Sequence, residues 1–372
     1  MRAFSVLCCF LVLAFPLRAA SSVTVAQLEQ FLTSRRTAKL PDAEIANRLS
    51  GVSLSEQLTP GTLNRIRTEA NLGQRSEEQL DLLAAASIFK VPPLSELPFL
   101  AAPSPDAQRL IISKAQGYAK RAQHQLPDFL AVRQTRYYTN VPPAGSPRFA
   151  KTRMQMHLTR ESRRGIEIRD GQEVERALSG LPDAGENLTL NSGLSSWGEF
   201  GAILTVVLGD SSTETLQWSR WQKSESGIAL AVFRYAIPRS SSHYTVDFCC
   251  FQKSLDEPVD YYFHDKPAYA GEIYVNPDNG EIDRITLDAE LNDSDPVRRS
   301  AIAVQYGYVT IGGRQYLCPM WSIALSDFFS RLIEKIDGVG IERHLNETEF
   351  AGYHKFGSSV RIFSSEDGTP RD

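Results

Sequence analysis

The spacing of apolar residues changes at Pro127, and that change limits the fold more than any other feature of the chain. Upstream they recur every three or four residues, the period of a helix buried on one side. Downstream they recur every two, the period of a strand. Within 282–291, Ile285, Leu287, Ala289 and Leu291 alternate with Arg284, Thr286, Asp288 and Glu290. Such a strand turns one face to a core and the other to water, as antiparallel sheets allow. The switch predicts an α+β chain. A small helical region covers 23–125, followed by a large antiparallel β region over 127–365.

The helical region carries its own start signals. Thr24 with Gln27 forms a capping box ahead of Val25, Leu28, Phe31 and Leu32. A second helix runs from Asp42 to Leu49, and Thr59-Pro60 opens a third. Ser76 with Gln79 is expected to cap a fourth, and Ser104-Pro105-Asp106 a longer fifth, beyond a Pro-rich stretch over 91–105.

In the β region, strands are expected over 132–139 and 152–160, with a hairpin over 165–176 about Asp170-Gly171. Ser196 with Glu199 should cap one helix over 196–208, dense in apolar residues. A meander follows, with strands over 215–223, 228–237, 243–251, 269–276, 282–291, 301–311, 315–325 and 349–363. Asn279-Gly280 and Gly312-Gly313 supply the positive φ of tight turns. His264-Asp265 reads as loop, and 326–337 fits either a short helix or an irregular strand. The expected architecture is a curved, half-barrel-like sheet with one packed helix.

Residues 1–22 read as a secretory signal. Met1 and Arg2 precede an apolar run over 4–17, and the small residues Ala19-Ala20-Ser21-Ser22 follow. The mature protein is therefore expected to be secreted or periplasmic. Beyond the signal, no apolar stretch is long enough for a transmembrane span.

Composition excludes some functions. The formal charge is −4 with Lys and Arg dispersed, whereas a nucleic-acid footprint needs clustered basic residues. No cofactor motif occurs, and no His/Cys set has metal-ligand spacing. Of five cysteines, Cys8 and Cys9 leave with the signal, and Cys249, Cys250 and Cys318 remain. An oxidising compartment permits a Cys250–Cys318 disulfide; buried idle thiols fit equally well. Gly193–Gly198 misses a nucleophile elbow by one position, and no catalytic residue is assigned.

The aromatic residues form the candidate ligand-binding set: Trp218, Trp221, Phe233, Tyr235, Tyr244, Phe248, Tyr306, Tyr308 and Trp321. They suit an apolar cavity, and an ordinary sheet core uses the same residues.

Three stretches carry a resemblance: Val23 to Leu58; Gly198-Glu199-Phe200-Gly201 with Trp218 and Trp221; and the meander from Gly271 to Leu325. Together they resemble an uncharacterised family of exported proteins, seen chiefly in acidobacteria. The β region is also similar to lipoprotein carriers of the LolA type. That similarity implies a curved sheet holding a lipid against an inserted helix. The expectation is a non-enzymatic envelope protein that binds a lipid-like or other apolar ligand, or an envelope partner. The alternatives are a protein-interaction module with the sheet as scaffold, and a hydrolase assembled in space around His243 or His264.

Overall fold

The computed structural model describes residues 21–142, 155–169, 172–176, 194, 199–212, 215–251 and 261–355. Most of the expected signal segment, the Ser196 cap and Gly193 therefore lie outside the described residues. The chain divides into two compact units: Met1–Leu97 with Asn140–His157, and Pro98–Thr139 with Leu158–Asp372.

In the first unit, β1 (Ser21–Val23) and β2 (Val52–Leu54) pair in parallel. Four helices accompany them: α1 (Val25–Leu32), α2 (Asp42–Leu49), α3 (Pro60–Glu69) and α4 (Gln74–Ala86). Thr24 and Gln27 cap α1 reciprocally, and Thr59 caps α3. Val25, Leu28, Ile45, Leu49, Ile66 and Leu80 form the core of the unit.

Helix α4 departs from its expected start. Ser76 and Gln79 are buried within it, and the N-cap is Gly73. The orphan amides of Arg75 and Ser76 donate to the Asp42 carboxylate at 3.0 Å each, and the Ser76 hydroxyl donates to it at 2.5 Å. The cap thus comes from the next helix over. A Cβ on residue 73 would lie 2.6 Å from the Asp42 carboxyl carbon, so a larger residue there would push the capping carboxylate aside. These hydrogen bonds, led by the one from the Ser76 side chain, hold Asp42 below the ordinary carboxylate pKa.

The second unit is built on an open sheet of ten strands. These are β3 (Phe129–Thr139), β4 (His157–Arg169), β5 (Gln172–Arg176), β6 (Gln217–Lys223) and β7 (Ala229–Ile237). After a separate hairpin of β8 (Val246–Phe251) and β9 (Tyr261–Asp265) come β10 (Ala268–Val275), β11 (Ile282–Glu290), β12 (Val297–Ile311), β13 (Arg314–Phe329) and β14 (Ile341–Lys355). Their order across the sheet is β5-β4-β3-β14-β13-β12-β11-β10-β7-β6. The meander β10 to β14 fills the middle, and β14 pairs back onto β3.

Among the described residues, three further helices belong to this unit: α5 (Pro105–Gln125), α6 (Ala202–Asp210) and α7 (Arg331–Asp337). The period-based reading grouped α5 with the helical region. Its buried residues Ile111, Ile112, Ala115 and Ala119 instead pack into the sheet's core. Helix α6 begins at Ala202, later than expected, because Glu199 and Phe200 form a turn and Gly201 adopts φ 150°. His264 and Asp265 lie in β9 and pair with Asp247 and Val246. The segment left open at 326–337 divides into the end of β13 and α7.

Candidate functional site

One face of the sheet assembles most of the candidate aromatics, and the register shows how. Phe233 lies opposite both Trp218 and Ile273. Ile273 faces Ile285, which in turn faces Val304. Beside that row run Tyr235, Gly271, Leu287 and Ile302. Residues directly opposite share a face, so this is one continuous apolar surface. The rings interlock edge to face: Trp218 with Trp221 at 5.1 Å, Trp218 with Phe233 at 5.7 Å, and Tyr235 with Tyr269 at 5.9 Å.

Helix α6 packs on this surface because its sequence, Ala-Ile-Leu-Thr-Val-Val-Leu-Gly-Asp, leaves almost no polar side. Ile203, Leu204, Val207 and Leu208 are buried in the same cluster as the α5 residues. Topology explains its path. β5 and β6 lie at opposite edges of the sheet, so the chain between them must cross the full width. Along that crossing, Leu194 receives a hydrogen bond from Asn346 at 2.9 Å, and Glu199 meets Arg133 at 2.7 Å.

Phenol hydroxyls tie down both ends of α6. Tyr306 donates to the Glu199 carbonyl at 3.0 Å, and Tyr269 donates to the Asp210 carboxylate at 2.8 Å. Burial raises both phenols above their ordinary pKa, and for Tyr269 the Asp210 carboxylate adds to the rise. Both are therefore neutral donors across the working pH range. Between these ties the helix makes apolar contacts.

The nine candidates do not form one group. Phe233, Tyr235 and Tyr306 are buried in the cluster, and Trp218, Trp221 and Tyr244 are partly buried against it. Phe248 stacks on Phe328 at 4.4 Å in an adjoining cluster. Tyr308 is 56 % exposed, with its hydroxyl on Glu281. Trp321 pairs with Gln305 and so points to the other face. Cys318 carries a buried free thiol whose pKa burial pushes up to about 12. The Cys250 side chain lies outside the described residues.

Sequence reasoning missed Tyr269, Arg133 and Asp210. Tyr269 sits on an expected strand, and its alternation with Gly271 and Ile273 was the available signal. A charged residue on a strand gives no comparable signal for its partner.

Two histidines each form a dyad with an aspartate. His243 Nδ1 meets Asp210 at 2.5 Å, and His264 Nδ1 meets Asp247 at the same distance. Tyr269 donates to Asp210 and Tyr262 to Asp247, so both carboxylates are shared with a phenol. The hydrogen bonds from His264 and Tyr262 hold Asp247 below the ordinary carboxylate range. Nucleophilic catalysis needs a hydroxyl or thiol within reach of the imidazole. Among the described residues, the hydrogen-bond partner of each ring is its aspartate.

No family model and no curated protein matches the chain. A crystal structure of a LolA superfamily protein from Nitrosomonas europaea is similar at 14 % identity and a TM-score of 0.25. The match covers 68 % of this chain and 96 % of that one. Superposition of that quality does not establish a shared fold. No helix among the described residues is long and apolar enough to cross a membrane.

Proposed function

We propose that this is an exported, non-enzymatic binding protein that takes a lipid-like or other apolar ligand between α6 and the aromatic face of the sheet. The observation that carries the reading is α6 itself. An apolar helix lies on an aromatic surface and is tied at its two ends by phenol hydroxyls. A long apolar molecule would bury the apolar face of Phe233, Ile273 and Ile285, residues that share one core cluster with α6. Trp218, Trp221 and Tyr244, partly buried at the margin of the cluster, would meet such a molecule first. Export follows from the basic, apolar and small-residue order of 1–22.

The two tryptophans of β6 make the reading testable. The chain holds four tryptophans, Trp197, Trp218, Trp221 and Trp321. Titrating the mature full-length chain with a brominated fatty acid should quench its emission saturably. Most of the quenching should disappear in the Trp218→Phe/Trp221→Phe double variant. An unquenched wild type, or quenching untouched by the double substitution, would refute the proposed position.

A further inference from the structure

The opposite face of the sheet carries a row across six strands in which every side chain but Val232 is long and polar or aromatic. From β6 to β13 these are Arg220, Val232, Tyr274, Arg284, Gln305 and Trp321, each opposite the next. The row contains two buried arginines, and their surroundings differ sharply.

Arg220 is fully compensated. Its guanidinium makes a two-pronged contact with Glu272 at 2.6 and 2.7 Å, and further hydrogen bonds with Gln222 and the Tyr274 hydroxyl. Arg284 has no such partner. It is 8 % exposed, and its Nε donates to the amide oxygen of Gln305 at 2.8 Å. Among the described residues no carboxylate contacts it as an ion pair, and the nearby Asp283 carboxylate acts on it through space. Its Nη1 is buried without a hydrogen-bond acceptor. The neighbouring carboxylate of Asp283 instead accepts from the Gln305 amide at 2.9 Å.

Arginine cannot shed its proton to escape burial. A desolvated guanidinium with an unused N–H is strongly unfavourable unless something else compensates the charge. Two aromatic rings offset part of that cost. The guanidinium carbon lies 5.1 Å from the Tyr274 ring centre and 5.8 Å from that of Trp321. Rings stacked against the cation leave its edge as the direction in which hydrogen bonds form. That edge is where a planar carboxylate or a phosphate docks on arginine.

We propose that Arg284 anchors a binding site for an oxyanion, a carboxylate or a phosphate group, reached by displacement of the half-buried Trp321 ring. Tyr274 supports the guanidinium from its other side, and Gln305 fixes Nε so that the Nη1 edge is presented to the ligand. This face is not the one on which α6 packs, so the two readings fail independently.

The test uses the mature full-length chain in a buffer free of phosphate and carboxylates at constant ionic strength. Its thermal midpoint and tryptophan emission are followed while inorganic phosphate, acetate or oleate is added, with oleyl alcohol as the uncharged control. At least one of the three anions should bind saturably. Arg284→Met should weaken that binding at least tenfold, and Arg284→Lys, which keeps the charge without the fork, should also weaken it. Binding of phosphate or acetate identifies a free small anion as sufficient. An Arg284-dependent preference for oleate over the alcohol, without binding of either small anion, identifies the head group of a tailed ligand. Should Arg284→Met not fold, the side-chain NMR resonances of Arg284 in the wild type, recorded under the same titrations, decide. No saturable binding, affinity that ignores residue 284, or resonances that do not move would each overturn the proposal and leave the stack purely structural.

Discussion

Replacing Arg133 by methionine is expected to cost the second unit about 3–5 kcal/mol of stability, the range for removing one member of a buried ion pair. Its guanidinium lies 2.7 Å from the Glu199 carboxylate, and the Glu199 side chain is completely buried. Glu199 also accepts from Ser322 and gives its backbone carbonyl to Tyr306, so this one residue joins the turn before α6 to β3, β12 and β13. Removing Arg133 takes away the cation that offsets the burial of this carboxylate. The paired change Arg133→Met with Glu199→Met should recover most of the loss, because neither charge is then buried alone. Urea unfolding of the two single variants and the double variant measures this. A single variant as stable as the wild type would show that the pair does not hold the α6 crossing down.

Gly271→Ala is expected to cost about 3 kcal/mol or more, at or above the usual range for overpacking a core. A Cβ at 271 would overlap the backbone carbonyl oxygen of Thr286, and it would lie 2.6 Å from the Tyr235 hydroxyl. The space left by the missing side chain is already in use. The Tyr235 ring reaches across it, and its hydroxyl donates to the Thr286 carbonyl at 2.5 Å. An aromatic neighbour covering a strand glycine restores the packing that the glycine gives up. Because a backbone oxygen cannot move aside as a flexible side chain does, β10 and β11 must separate locally. Thermal melting with amide exchange at Ile273 and Leu287 reads the effect. A variant that melts with the wild type would mean that the two strands are not packed this closely.

The period of the apolar residues made the class of the fold legible, since burial on one side imposes it on helix and strand alike. Turns that require positive φ were also legible: Gly280, Gly312 and Gly313 all adopt it. Pairing between distant segments was not. β14 begins at Ile341, eight residues before the expected 349, and joins β3 across about two hundred residues of chain, a partnership no local pattern encodes. The α4 cap was misread for the same reason. Ser76 has the composition of a cap, but Asp42 arrives from another helix and takes the amides.

The candidate site divides along similar lines. Alternation within one strand puts Phe233 and Tyr235 on the same side, and the register sets Trp218 opposite Phe233. It could not place Trp321 and Arg284 together on the opposite face, because that depends on how β11, β12 and β13 are aligned. Nor does a sequence distinguish an arginine with a carboxylate partner from one without. Arg220 and Arg284 look alike in one dimension, yet in three Arg220 is clasped by a carboxylate and Arg284 by an amide.

Native mass spectrometry of the full chain, expressed and purified without detergent, tests the central claim most directly. The proposed function predicts a mature protein carrying extra mass that organic solvent extracts as an apolar molecule, or one that takes up added lipid with fixed stoichiometry. A chain recovered at its bare mass that acquires nothing from any lipid offered would contradict it.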